Sequence, residues 1–129
     1  MIRDEQFEAG VALRRSMFGA QVTDDQLDNV TELDDKLQEF VTRQCFGDIW
    51  QRDVLDTKSR SLVTIAMLVA MGRSHEIAIH MRGGLANGLT VEEIREVLVQ
   101  SIMYCGLPAA VDGFRALGAI VAEGADERV

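Results

Sequence analysis

The sequence lacks most of what marks secreted, membrane-spanning or nucleic-acid-binding proteins. It has two cysteines, Cys45 and Cys105, far apart and in neither a CxxC pair nor a zinc-ligand spacing. They read as buried structural thiols in a reducing compartment. Aromatic residues make up only 5% of the chain, so its core must be built from aliphatic side chains and methionine. Positive charge is in deficit: 13 basic residues face 21 acidic ones, for a net charge of −8. That excludes a broad phosphate-binding face and hence nucleic acid as a partner. It leaves room for a small anionic ligand where a few arginines converge. The longest apolar run, Ile65 to Met71, is too short to cross a bilayer. The opening Met1-Ile2-Arg3-Asp4-Glu5-Gln6 carries charge where a secretory leader would be apolar. A cytoplasmic location without membrane contact is expected.

Proline occurs once, as Pro108, and no segment alternates apolar and polar residues as a half-buried strand would. The chain therefore reads as all-α. Its 129 residues, 47% of them hydrophobic, suit one domain spanning 1–129 with a frayed tail from Gly124. A first helix is expected from about Asp4 to Phe18. Thr23-Asp24-Asp25-Gln26 reads as a capping box, opening a helical region in which Leu27, Val30, Leu33, Leu37, Phe40 and Val41 recur, ending near Gly47. Asp48 to Asp56 is then a turn or loop containing Trp50. The next helix starts near Asp56 and runs to about Met71, with Gly72 as its stop. It is apolar nearly all round, so most of its surface has to be covered, and a partner subunit would help. Ser74 is positioned to cap a helix from His75 to Asn87. Thr90-Val91-Glu92-Glu93 is a second capping box, opening a helix to about Cys105. Pro108 suits the first turn of a last helix ending near Glu123.

The chemistry is concentrated in Gly72-Arg73-Ser74-His75-Glu76-Ile77-Ala78-Ile79-His80-Met81-Arg82-Gly83-Gly84. This stretch holds both histidines, a glutamate and two arginines. His80 can donate a hydrogen bond or a proton near neutral pH, and Glu76, one helical turn earlier, can orient its imidazole. Alternatively, His80 makes a satisfied polar contact inside the bundle. His75, near a helix N-terminus, is either a neutral donor or a packing residue. Arg52, Arg60 and Arg82 are candidates for gripping carboxylates, because a guanidinium binds them in a fork; a solvated or subunit-bridging arginine is the alternative, favoured for Arg82. Cys45 is a candidate pocket-lining residue, and Trp50 either packs or lines the same pocket. No metal site is expected, since His75 and His80 are five residues apart and diverge around the helix.

Cys45-Phe46-Gly47-Asp48-Ile49-Trp50, followed by Leu55-Asp56-Thr57-Lys58-Ser59-Arg60-Ser61-Leu62, resembles the gamma-carboxymuconolactone decarboxylase family. So do His75-Glu76, His80-Met81-Arg82-Gly83, Asn87-Gly88-Leu89-Thr90, Glu93-Ile94-Arg95-Glu96-Val97-Leu98 and Tyr104-Cys105-Gly106-Leu107-Pro108-Ala109-Ala110. The ordered motifs cover about Phe7 to Ala119. The alkylhydroperoxidase-like branch of this superfamily carries a CxxC pair four residues before the histidine that corresponds to His80. Here Arg73 and Glu76 stand at those positions, so dithiol peroxide reduction has no chemical basis. Gly72, Ser74 and Phe46 replace the asparagine, proline and tryptophan usual in the decarboxylase branch, which leaves the substrate less defined than the fold.

The resemblance implies an all-helical protein assembled as a homo-oligomer, a hexameric ring in the decarboxylase branch. It implies a small anionic lactone as substrate, His80 and Glu76 as catalytic residues, and Arg52, Arg60, His75, Cys45 and Trp50 around the substrate. The family's lactone bears a carboxylate vinylogous to its ring carbonyl. Electrons released with carbon dioxide flow to that carbonyl, so no cofactor is required. The other class of function open to the chain is a non-thiol relative that binds or acts on another small anion.

Overall fold

The computed structural model describes residues 1–124; the expected fraying of the tail falls largely on 125–129, outside those residues. Among the described residues there are seven α-helices, one π-helix, one 3-10 turn and no strand, as the composition predicts. They form two compact units, residues 1–56 and the chain from Thr57 onward.

In the first unit, the Asp4 side chain accepts a hydrogen bond from the Phe7 backbone N–H at 3.0 Å and starts α1 (Glu5–Phe18). Gly19, at φ 95°, turns the chain straight into α2 (Ala20–Asp28). This early start overturns the first expected capping box. Thr23 already lies inside α2, where its N–H bonds to the Gly19 carbonyl at 3.2 Å. Its hydroxyl is buried without a hydrogen-bond partner.

The helical region predicted to run on towards Gly47 is also interrupted. At residues 29–34 the Asp34 carboxylate accepts both the backbone N–H (2.8 Å) and the hydroxyl (3.0 Å) of Thr31. This gives the backbone an alternative to helix, and Leu33 is left 95% exposed. Helix resumes as α3 (Asp35–Glu39), widens into a π-helix over Phe40–Phe46 and ends at Gly47. A 3-10 turn, Ile49–Gln51, follows within the expected loop.

Two small clusters form this unit's core, Phe7 with Val11 and Leu27, and Met17 with Phe46 and Trp50. Between the helices lies Arg14, only 4% exposed. Its guanidinium donates to Thr42 Oγ1 at 2.7 Å, Gln38 Oε1 at 3.1 Å and Gln26 Oε1 at 2.5 Å. Close approach of α1 to the π-helix depends on Gly10, where a Cβ would collide with the Thr42 carbonyl.

The second unit is built from α4 (Thr57–Met71), α5 (Ser74–Ala86), α6 (Val91–Cys105) and α7 (Leu107–Ala122), with the expected boundaries met to within a residue or two. The second capping box forms as read, Thr90 Oγ1 accepting from Glu93 N–H and Glu93 Oε1 from Thr90 N–H, both at 3.0 Å. Ser74 does not cap α5. It is the first helical residue, and its hydroxyl donates to Asp112 Oδ2 of α7 at 2.5 Å. Ile65, Val69, Ile77, Met81, Leu85, Leu89, Ile94, Leu98, Leu117 and Ile120 make one continuous core. On α4 only Ser61, Ile65 and Val69 are buried within the chain; Met67 and Met71 are 59% and 62% exposed. No described helix is long and apolar enough to cross a membrane.

Replacing a mid-helix glycine with alanine ordinarily stabilises a helix by up to about 1 kcal/mol. At Gly10 the sign reverses, because the obstacle is the Thr42 backbone carbonyl and not a flexible side chain. Gly10→Ala is expected to lower stability by about 1–3 kcal/mol in denaturant unfolding; an unchanged midpoint would show that α1 seats differently.

Candidate active site

Helix α5 carries the chemistry-bearing stretch, and its helical phase decides what each residue there can do. Ile77, Met81 and Leu85 face the core and are buried. Beside them runs a row of residues four apart: Glu76, His80 and Gly84. The row passes from solvent to interior. Glu76 is exposed, His80 is partly buried with its Nδ1 out of reach of water, and Gly84 is buried against α4. A Cβ on Gly84 would stand 2.8 Å from Leu89 Cδ1 and 3.4 Å from both Ile65 Cδ1 and Ser61 Cβ.

Burial holds the His80 imidazole below the usual 6.5, because the charged form loses hydration; the negative charge of Glu76 opposes this and does not overcome it. At neutral pH His80 is therefore an uncharged N–H donor. His75 is exposed in the first turn of α5, away from that row. Arg82 donates from one nitrogen to both carboxylate oxygens of Glu123, at 3.0 and 3.1 Å, which is the surface role favoured for it from sequence. Arg60 lies on α4, partly buried, with its Nε shielded from solvent. Ser61, the next residue, is fully buried.

The remaining candidates lie in the first unit. Arg52, just after the 3-10 turn, is exposed. Cys45 is on the π-helix, and Trp50, 7% exposed, packs its ring against Phe46 at 5.5 Å between centroids. Burial pushes the Cys45 thiol above its ordinary value, while a hydrogen bond with Trp50 and the charge of Arg14 pull weakly the other way. Cys45 is thus a protonated thiol at neutral pH, suited to packing and unsuited to nucleophilic attack.

The structure therefore groups Glu76 with His80 on one face of α5, places Arg60 on the helix packed against it, and pairs Cys45 with Trp50. It sets His75 apart from the Glu76–His80 row. Sequence reasoning passed over Arg14. The signal was present: Phe7, Val11, Arg14 and Met17 follow one helical stripe, and an arginine in an apolar stripe marks a buried charge. Ser61 and Asn87, whose side chains bond to each other at 3.0 Å, were likewise passed over, because neither residue type announces a structural tie from sequence.

Known proteins resemble this chain over most of its length. Residues 35–119 match the Carboxymuconolactone decarboxylase family. A 4-carboxymuconolactone decarboxylase from Acinetobacter baylyi is 36% identical over 110 residues, which cover 84% of this chain and 82% of that protein. A nitrosuccinic acid decarboxylase from Metarhizium robertsii is 34% identical over 106 residues, 82% of this chain and 74% of that protein. An uncharacterised 15.0 kDa protein from Paracoccus denitrificans is 36% identical over 84 residues, 64% of this chain and 63% of that protein. With a family match over most of its length and a relative aligned from near end to end, the chain belongs to the carboxymuconolactone decarboxylase family.

Proposed function

We propose that this protein is a carbon–carbon lyase that removes carbon dioxide from a carboxylated unsaturated lactone, converting 4-carboxymuconolactone to the 3-oxoadipate enol-lactone in the protocatechuate branch of aromatic degradation. The observation that carries the reading is His80. It is a neutral, partly buried imidazole in a Glu76–His80 row, in a chain 36% identical to a decarboxylase of that lactone.

The reaction needs an electron sink, an oxyanion partner and one proton. The chain's two lysines do not suit Schiff-base chemistry: Lys36 is exposed, Lys58 is partly buried, and they pair with Glu39 and Glu93. The substrate then supplies its own sink. As the carbon–carboxylate bond breaks, its electron pair moves through the ring double bond to the lactone carbonyl oxygen, giving a dienolate. An N–H of neutral His80 donates a hydrogen bond to that oxygen as charge develops. Glu76 orients the ring. The α carbon of the dienolate takes up one proton, ultimately from solvent, which balances the loss of carbon dioxide. Arg60 holds a substrate carboxylate. His75 is a further candidate for lining the substrate, on the family resemblance.

A second reading is supported by the Metarhizium robertsii relative. Nitrosuccinic acid also carries its own electron acceptor, the nitro group. A nitro-substituted dicarboxylate is therefore the alternative small anion, and assaying both acids side by side discriminates the two.

We also propose a cytoplasmic homohexamer. The apolar surface that this chain leaves open on α4, and around Met103, Tyr104 and Leu107 at 83%, 84% and 63% exposure, supports self-association.

Three outcomes follow. His80→Ala is expected to lower kcat on 4-carboxymuconolactone by about 10²–10³-fold with its circular-dichroism signal retained; near-native kcat would remove His80 from the chemistry. Because the neutral imidazole is the working form and its pKa is lowered, activity should hold from pH 8 down to pH 7. It should then fall through a midpoint under the ordinary 6.5 as the ring protonates. A rate that instead rises on acidification through that range would assign the work to the imidazolium. Light scattering at micromolar concentration should give a multiple of 14.3 kDa, sixfold for a hexamer, whereas a stable monomer would reject the assembly.

A further inference from the structure

The first turn of α4 is fastened to the α5–α6 corner from two sides. Asn87, the residue ending α5, donates through Nδ2 to Ser61 Oγ at 3.0 Å and to the Thr57 carbonyl at 3.5 Å. Lys58 Nζ lies 3.3 Å from Glu93 Oε2, and the same Glu93 closes the Thr90 capping box through its other oxygen. Thr57, Lys58 and Ser61 all lie within one helical turn of Arg60. The Asn87–Ser61 bond is partly buried: Asn87 is half-buried, Ser61 is fully buried, and Leu89 closes over the bare Cα of Gly84 beside it. A buried hydroxyl and a side-chain amide are costly to leave unpaired, so the two hold each other firmly.

This tie joins the two helices that carry the proposed chemistry. Asn87 is seven residues beyond His80 on the same side of α5, about 10 Å further along the axis. Ser61 is one residue, about 100° of helical rotation, from Arg60. Fixing Ser61 against Asn87 therefore fixes both the rotation and the axial position of α4's first turn relative to the face that bears His80.

We infer that Asn87 is a positioning residue for decarboxylation: through its bond to Ser61 it sets the α4 turn from which Arg60 meets the substrate carboxylate. The inference rests on the reading of Arg60 as a carboxylate clamp, and the experiment separates the two. Asn87 has ordinary right-handed backbone angles (φ −82°, ψ 1°), so alanine fits there without strain. Ser61→Ala deletes the same bond from the other helix, leaves the end of α5 untouched, and decides the matter if Asn87→Ala fails to fold.

Steady-state kinetics on 4-carboxymuconolactone are compared for the native protein, Asn87→Ala, Ser61→Ala, Arg60→Ala and the double variant Asn87→Ala/Arg60→Ala. Each single substitution is expected to raise KM by about five-fold or more with kcat within about three-fold. The double variant should be no worse in KM than Arg60→Ala alone, because Asn87 acts through a side chain already removed. If Arg60→Ala raises KM while Asn87→Ala and Ser61→Ala leave it native, the inference fails and the clamp stands. KM effects that multiply in the double variant also overturn it, since Asn87 would then act independently of Arg60. If Arg60→Ala leaves KM unchanged, or the native protein does not turn the lactone over, clamp or substrate reading fails and the inference falls with it.

Discussion

Everything that α5 offers to chemistry depends on one packing constraint, the burial of Ile77, Met81 and Leu85 in the core of the second unit. A helix pinned along one stripe has no rotational freedom left. Residues at the edge of that stripe are therefore held half in and half out of water. His80 occupies that edge, and its depressed basicity is a direct product of the position: burial enough to strip hydration, with Glu76 too exposed to compensate fully. A rotation of α5 by one residue would place His80 either in solvent, at its ordinary basicity, or within the apolar core, where no substrate would reach it.

The two units were legible in the sequence to different degrees, for a physical reason. From Thr57 onward, boundaries are punctuated by residues with strong local preferences: Gly72, Gly88 and Gly106 all adopt positive φ, Pro108 sits in a first turn, and Thr90 with Glu93 completes a capping box. Local chemistry and tertiary packing agree there. In the first unit they compete. Thr23 and Gln26 have the spacing of a cap, yet Gly19 begins the helix earlier and Gln26 is used instead by the guanidinium of Arg14. Leu33, Leu37 and Phe40 keep helical spacing and are nonetheless 95%, 61% and 64% exposed. Hydrophobic periodicity cannot distinguish a side chain that fills its own core from one left on the surface.

The site was legible in part. The Glu76–His80 row follows from helical spacing alone, because i and i+4 share a face in any α-helix. The depth of that face, the diversion of Ser74 to Asp112 and the amide tie between Asn87 and Ser61 depend on which helix lies opposite, which spacing within one segment does not encode.

Arg14 has a consequence that reaches beyond packing. Its partners are two carboxamides and a hydroxyl, and no carboxylate pairs with it among the described residues. None of these acceptors ionises near neutrality, and a guanidinium keeps its proton throughout that range. Elsewhere in the first unit, the Arg43–Asp4 pair is coupled to solution acidity, since its carboxylate is held low by the arginine and the pair weakens once it protonates. The Arg14 junction has no such coupling. As the medium acidifies and surface ion pairs let go in turn, the interior joint between α1, α2, α3 and the π-helix keeps the same bonds and the same charge.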